Sequence, residues 1–353
     1  MPKYTSKRET TVCGYTKVNV DKKHNTSKRL LAGKNAMMQT LSSTTGSRAQ
    51  RRREKAKQLL YSTMATHPMG LVVDCPSQFD GLIYDFAPPE LTLYNNTENG
   101  FVHWIDKENG VASCIVVPRS RLCNMTCRAN SDEVVEALET LQRTEKNCKR
   151  GKNQTGRSFN KYTIYGWKVL QARGYSQSAV KERDPKAADS LQRFAKRLEE
   201  LAASVVPSRW LRAVKAASVL VEFPTIESCT FGAGIASSID YCAPSHVDDD
   251  FYITVHQLNV KGCFGCPEIA QYFCFPTCGY AVALRPGDVL VFNPHVHHCL
   301  SKKSPQYAGK RVHVSSLYTK TKHVTGNDKS IELTEKQKLY ADMDQKLTSS
   351  NNH

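Results

Sequence analysis

Leu284-Arg285-Pro286-Gly287-Asp288-Val289-Leu290-Val291-Phe292-Asn293-Pro294-His295-Val296-His297-His298-Cys299-Leu300-Ser301 is the stretch that decides how this chain reads. Pro286-Gly287-Asp288 has the chemistry of a tight turn. Val289 to Phe292 is apolar at every position, the pattern of a strand covered on both faces. Histidines placed directly after such a strand stand at the rim of a barrel or sandwich, where a metal can reach them. Working upstream, His246-Val247-Asp248 lies about fifty residues earlier. In an extended strand the first and third residues of His-x-Asp point to one side and can bind one ion together. Two imidazoles and one carboxylate on one face of Fe(II) leave three positions open, as an oxygen-activating iron requires. The third ligand must come from a strand distant in sequence, and His295, His297 and His298 all qualify.

Neighbouring residues offer competing readings. Asp249 and Asp250 extend the acidic run, which a hard cation such as Ca²⁺ or Mg²⁺ would also favour. No glycine-punctuated calcium loop follows, and Phe251-Tyr252-Ile253-Thr254-Val255 is strand-like, so iron is the preferred ion. His256 falls on the same nominal face as His246 and reads as a structural histidine in preference to a partner of the metal ligands. Downstream, Lys310-Arg311-Val312-His313-Val314-Ser315-Ser316-Leu317-Tyr318 alternates like a strand. Val312, Val314, Ser316 and Tyr318 share one face, and Arg311, His313, Ser315 and Leu317 the other. An arginine aimed into the metal cavity would hold a carboxylate with a bidentate fork.

The segment from about Tyr241 to Tyr318 resembles the C-terminal half of the double-stranded β-helix of Fe(II)/2-oxoglutarate dioxygenases. Arg285 to Pro294, followed by His298-Cys299-Leu300-Ser301, is similar to the TET/JBP-like branch of algae, protists and fungi, which oxidises the 5-methyl group of pyrimidines in nucleic acid. The resemblance covers about a quarter of the chain. It implies Fe(II) held by His246, Asp248 and His298, with 2-oxoglutarate anchored by Arg311 and bordered by His313 and Ser315. Many relatives carry serine where this chain has His313, and some algal relatives are thought to use ascorbate, so the co-substrate stays open at this point. The activity implied is a dioxygenase hydroxylating 5-methylcytosine or thymine in DNA. Its alternatives are a hydroxylase of protein or small molecules and a DNA-binding module with a vestigial metal site.

Charge separates the chain into parts. Residues 1–60 carry a net +12 and residues 143–173 a net +8, against +16 for the whole, so the remainder is slightly acidic. Positive charge concentrated outside a near-neutral body is the footprint of a protein that meets a polyanion. Arg51-Arg52-Arg53 lies in the first segment, a polar arm expected to be disordered and able to serve as a nuclear-import signal or DNA tether. Lys149, Arg150, Lys152 and Arg157 lie in the second, interleaved with Tyr162, Tyr165 and Trp167, a mixture suited to phosphate contact and base stacking. The aromatics read equally well as core.

The thirteen cysteines accompany an N-terminus without an apolar signal segment and no run of membrane-spanning length, which predicts an intracellular protein with reduced thiols, and the basic arm as an import signal makes the expected location nuclear. Cys263, Cys266, Cys274 and Cys278 could form a four-thiolate zinc site. Against this, Cys274 falls in Gln271-Tyr272-Phe273-Cys274-Phe275, which reads as a core strand. Asn109-Gly110 between two apolar runs marks a hairpin, and helices are expected over Ser131–Arg143, over 186–204, and after Thr334. The fold expected is α+β: a double-stranded β-helix core (jelly-roll, cupin-like) buttressed by helices, with a basic N-terminal arm. The arm covers 1–60, the dioxygenase domain 61–329 with its catalytic half at 225–320, and a terminal helix or tail 330–353. A monomer is the working expectation.

Overall fold

In the computed structural model, residues 77–79, 81–106, 111–124, 131–145, 148–149, 161–170, 174–207, 211, 224–248, 250–251 and 253–320 are described. The strands are β1 (Thr92–Tyr94), β2 (Phe101–Asp106), β3 (Val111–Val116), β4 (Cys148–Lys149), β5 (Lys161–Leu170), β6 (Gly174–Gln177), β7 (Gly234–Ile239), β8 (Thr254–Asn259), β9 (Gln271–Phe275), β10 (Tyr280–Leu284), β11 (Val289–Phe292), β12 (Cys299–Leu300) and β13 (His313–Tyr318). The helices are α1 (Arg119–Asn124), α2 (Ser131–Thr144), α3 (Val180–Arg183) and α4 (Pro185–Val205).

β11 shows why the sheets are arranged as they are. All four of its residues are buried. Val289 and Val291 join the apolar cluster beneath the helices, while Leu290 and Phe292 join a second cluster between the sheets. An apolar run with no polar face must be covered on both sides, and here helices supply one cover and a second sheet the other. The large sheet runs β2-β3-β11-β8-β13-β7-β5-β4, with β6 on β5, and the small one runs β1-β10-β9-β12. From β7 onward the chain crosses between them: β8 joins the large sheet, β9 and β10 the small, β11 the large, β12 the small and β13 the large. That alternation is a double-stranded β-helix.

The turn into β11 is the one the sequence predicts. Asp288 N–H donates to the Arg285 carbonyl at 2.9 Å, and Gly287 sits at φ +94°, a conformation open to glycine and strained for other residues. β2 and β3 pair antiparallel as expected, the Asn109-Gly110 turn between them lying outside the described residues, and the helix starting at Ser131 forms where expected. The expected 186–204 helix begins at Pro185, with Asp184 accepting a cap bond from Ala187 N. Its apolar stripe of Leu191, Phe194, Leu198 and Leu201 is fully buried against the large sheet. The Glu199 carboxylate, 7% exposed, accepts from the backbone N–H groups of Thr230, Phe231 and Gly232, tying α4 to the approach to β7. Among the described residues no helix is long and apolar enough to cross a membrane. The basic arm and the segment after Thr334, where a helix is expected, lie outside the described residues.

Candidate metal centre

His246 and His298 are brought together by backbone. Each N–H donates to the other residue's carbonyl, at 3.1 and 2.9 Å, an isolated antiparallel bridge on the edge of the small sheet. Residues paired in this way present side chains to the same side, and the two rings lie 4.5 Å apart. Asp248 N–H donates to the Pro294 carbonyl at 2.8 Å, which ties the second half of the His-x-Asp motif to the loop leading to His298. The side-chain ligand atoms of His246, Asp248 and His298 all lie within 4.8 Å of one another, the only such His, Cys, Asp or Glu group among the described residues. His295 and His297 are buried but stand outside it.

These side chains fit a cation. His246 Nδ1 donates to the Pro244 carbonyl at 2.6 Å and His298 Nδ1 to the Val296 carbonyl at 2.8 Å. With both Nδ1 protons committed to backbone, each Nε2 keeps a lone pair, and these face Asp248 Oδ2 at 3.6 and 3.4 Å. A backbone carbonyl that fixes tautomer and ring orientation is a regular feature of metal-binding histidine. Phe273 stacks on His298 at 5.7 Å and Phe292 leans on it at 4.6 Å, enclosing the inner side of the site in hydrocarbon.

Asp250 takes a different role. Buried at 3% exposure, it meets Lys320 Nζ at 2.5 Å and accepts from Thr254 Oγ1 at 2.9 Å. Burial raises its carboxyl above the ordinary value, against the pull of Lys320. Lys320 Nζ also lies 3.9 Å from Asp248 Oδ1. Asp250 is thus engaged by a lysine and a threonine and does not join Asp248 in an oxygen cluster for Ca²⁺ or Mg²⁺. No pattern in the sequence marks Lys320, although it continues the even-numbered face of β13.

The predicted co-substrate residues are placed elsewhere. The odd-numbered residues of β13 do share a face, but it is the outer one: Leu317 packs beneath the helices while Val312 and Val314 pack between the sheets. Arg311, with its side chain 68% exposed, meets Glu139 of α2 at 3.3 Å, and the buried His313 ring stands 3.7 Å from the same carboxylate oxygen. Ser315, fully buried, follows on that face. An arginine aimed into the metal cavity is therefore corrected: Arg311, His313 and Ser315 face the helix layer, because the apolar even-numbered side chains claim the interior.

The inner face of β13 instead carries Ser316, whose Oγ lies 3.0 Å from His256 Nδ1 across the register pair of β13 and β8. Burial lowers His256 to about 3 and keeps it neutral. Four cysteines do not converge either. Cys263 accepts from Lys310 Nζ at 3.0 Å, whereas Cys274 lies opposite Cys299 on the outer face of the small sheet. Of the basic segment, Arg150, Lys152 and Arg157 lie outside the described residues, as do Arg51, Arg52 and Arg53 and the side chain of Lys149. Tyr165 OH donates to the Ala188 carbonyl and Trp167 Nε1 to that of Thr225, both at 3.0 Å, so these two aromatics are committed to the fold.

A double-stranded β-helix with a two-histidine, one-carboxylate set at its rim is the arrangement of mononuclear iron oxygenases. No protein-family model and no curated protein sequence matches this chain. Among solved structures it is similar to NgTET1 in complex with 5mC DNA, at 13% identity and TM-score 0.42 over 82% of this chain and 98% of that one. It is also similar to a Trichoplax adhaerens prolyl hydroxylase in complex with a hypoxia inducible factor peptide fragment (12%, TM-score 0.32, 81% and 99%). A third is JOX2 in complex with 2OG, Fe and JA (10%, TM-score 0.34, 72% and 82%).

Proposed function

We propose that this chain is an Fe(II)- and 2-oxoglutarate-dependent dioxygenase that hydroxylates the 5-methyl group of a pyrimidine in DNA. The observation that carries the metal chemistry is the triad: two imidazoles with Nδ1 held by backbone carbonyls and Nε2 turned toward one carboxylate. Ferrous iron held there supplies oxygen activation, coupling conversion of the oxo acid to succinate and CO₂ with insertion of one oxygen atom into a substrate C–H bond. The protein's part is to orient. The Pro244 and Val296 carbonyls set the imidazole tautomers, Asp248 supplies negative charge, and Phe273 and Phe292 keep water from the inner side.

The choice of DNA is supported by the two basic segments, residues 1–60 and 143–173, beside a body of slightly negative net charge. A methylated base stacked in a duplex is out of reach of a rim site and would be flipped into it. The arm bearing Arg51, Arg52 and Arg53 would tether the enzyme to DNA and serve as a nuclear-import signal.

The test is mass spectrometry of purified protein with Fe(II), oxygen, 2-oxoglutarate and duplex DNA carrying 5-methylcytosine, with His246→Ala as control. Succinate and a hydroxymethylated base, both absent in the variant, are the expected result. Succinate without base modification moves the target to protein or small molecules. Absence of succinate, with product formed when ascorbate is supplied, replaces the co-substrate. No turnover with either co-substrate refutes the reading.

A further inference from the structure

With Arg311 on the outer face, another group must meet the remote end of a co-substrate bound at the triad. The facing surfaces of the two sheets are mostly hydrocarbon, including Leu258, Phe273, Val282, Leu290 and Val314. His256 interrupts them from the middle of the large sheet. It is 3% exposed, and its Nε2 has no hydrogen-bond partner. Leaving a buried ring nitrogen unpaired is unfavourable, and a ligand supplying the missing partner would remove that cost.

The position of His256 points to which ligand. Its ring stands edge-on to Phe273 at 5.2 Å, and the same Phe273 stacks on His298 at 5.7 Å, so one phenyl ring borders both the inner wall and the metal ligand. His256 Nδ1 and Ser316 Oγ share one hydrogen bond, and when the hydroxyl donates to Nδ1 the imidazole proton sits on Nε2 and makes it a donor. Gln271 Oε1 is also buried without a partner, but it is an acceptor and repels an anion. Lys320, the cation at the end of this face among the described residues, is engaged by Asp250 at 2.5 Å.

We infer that His256, oriented by Ser316, is the interior contact for the remote carboxylate of the 2-oxo acid, through a hydrogen bond from Nε2, and that Arg311 takes no part. This rests on the proposed iron and 2-oxoglutarate chemistry. A neutral donor replaces a guanidinium fork, so recognition comes from one hydrogen bond in a dry wall instead of an ion pair.

The test is calorimetric titration of the full chain loaded with Mn(II), using 2-oxoglutarate and 2-oxobutyrate, which lacks the remote carboxylate. Mn(II) binding is followed separately by electron paramagnetic resonance. In the unsubstituted chain 2-oxoglutarate is expected to bind about tenfold more tightly than 2-oxobutyrate, the factor that corresponds to one net hydrogen bond. His256→Phe should abolish that preference, Ser316→Ala should shrink it, and His256→Gln, which keeps an N–H donor, should restore part of it. Mn(II) affinity should stay unchanged in all three, which excludes general unfolding. Arg311→Ala should leave the preference within twofold. Loss of the preference in Arg311→Ala, or its retention in His256→Phe, overturns the assignment. Unsubstituted protein that binds Mn(II) but neither oxo acid overturns the proposed co-substrate, and protein that binds no Mn(II) overturns the metal centre.

Discussion

Lys320→Met tests how the rim of the site is held. The substitution keeps the length of the side chain and removes the cation facing Asp250, a carboxylate 3% exposed with Thr254 as its remaining partner. Removing one partner of a buried ion pair costs roughly 3–5 kcal/mol. Lys320 is about one-third exposed and its charge is partly screened by water, so we expect a loss of about 2–3 kcal/mol near neutral pH. The pH dependence has a definite sign. Burial already raises the Asp250 carboxyl in the folded state, so above the unfolded value the folded chain binds more protons and this group's contribution falls as pH rises. Without Lys320 the carboxyl rises further, and the same loss extends over a wider range. The deficit of Lys320→Met should therefore be small near pH 4 and grow toward pH 8. Urea denaturation across that range measures it, and Asp250→Asn with Lys320→Met should recover part of the loss. A deficit below about 1 kcal/mol at pH 8, or one that is larger at low pH, refutes the reasoning.

Glu199→Ala leaves three backbone N–H groups without their acceptor, two of them on the buried residues Phe231 and Gly232. A loss of about 3 kcal/mol is expected in the denaturation midpoint at unchanged slope. Gly287→Ala forces a methyl group to within 2.6 Å of the Phe264 ring at φ +94°, so it should lower stability by about 1–3 kcal/mol, read as a fall in melting temperature. His298→Ala should reduce Mn(II) affinity by more than the roughly 10–100-fold that follows removal of a group which only orients a ligand, whereas His297→Ala should leave it near the unsubstituted value. DNA affinity should fall steeply between low and physiological salt, and neutralising Arg51, Arg52 and Arg53 should flatten that slope by about 0.9 for each phosphate that no longer meets a cation.

Several of these features are legible without coordinates because they follow from local rules. A run of four apolar residues after Pro-Gly-Asp is short and has no polar face, so it reads as a strand covered on both faces, and β11 is that strand. The stripe of Leu191, Phe194, Leu198 and Leu201 at helical spacing requires one apolar surface to pack on, and α4 buries it. The His-x-Asp spacing places two ligands on one side wherever the backbone is extended. Choosing among His295, His297 and His298 is a different matter. That choice depends on which residue bridges His246, a pairing between positions 52 residues apart that no local pattern encodes.

β13 shows where local reading stops. Alternation sorts Arg311, His313, Ser315 and Leu317 onto one face and Val312, Val314, Ser316 and Tyr318 onto the other, and the structure keeps both groupings. Which group faces the metal is not a property of the strand, because a half-turn about its own axis exchanges the two without changing the period. The neighbours decide it: Glu139 on α2 meets Arg311 outside, and the hydrocarbon between the sheets accepts Val312 and Val314. The sequence by itself determined the period, the strand and helix identities and the ligand types. Tertiary packing alone decided the inward face, and with it that His256 and Ser316, not Arg311, stand on the wall behind the metal site.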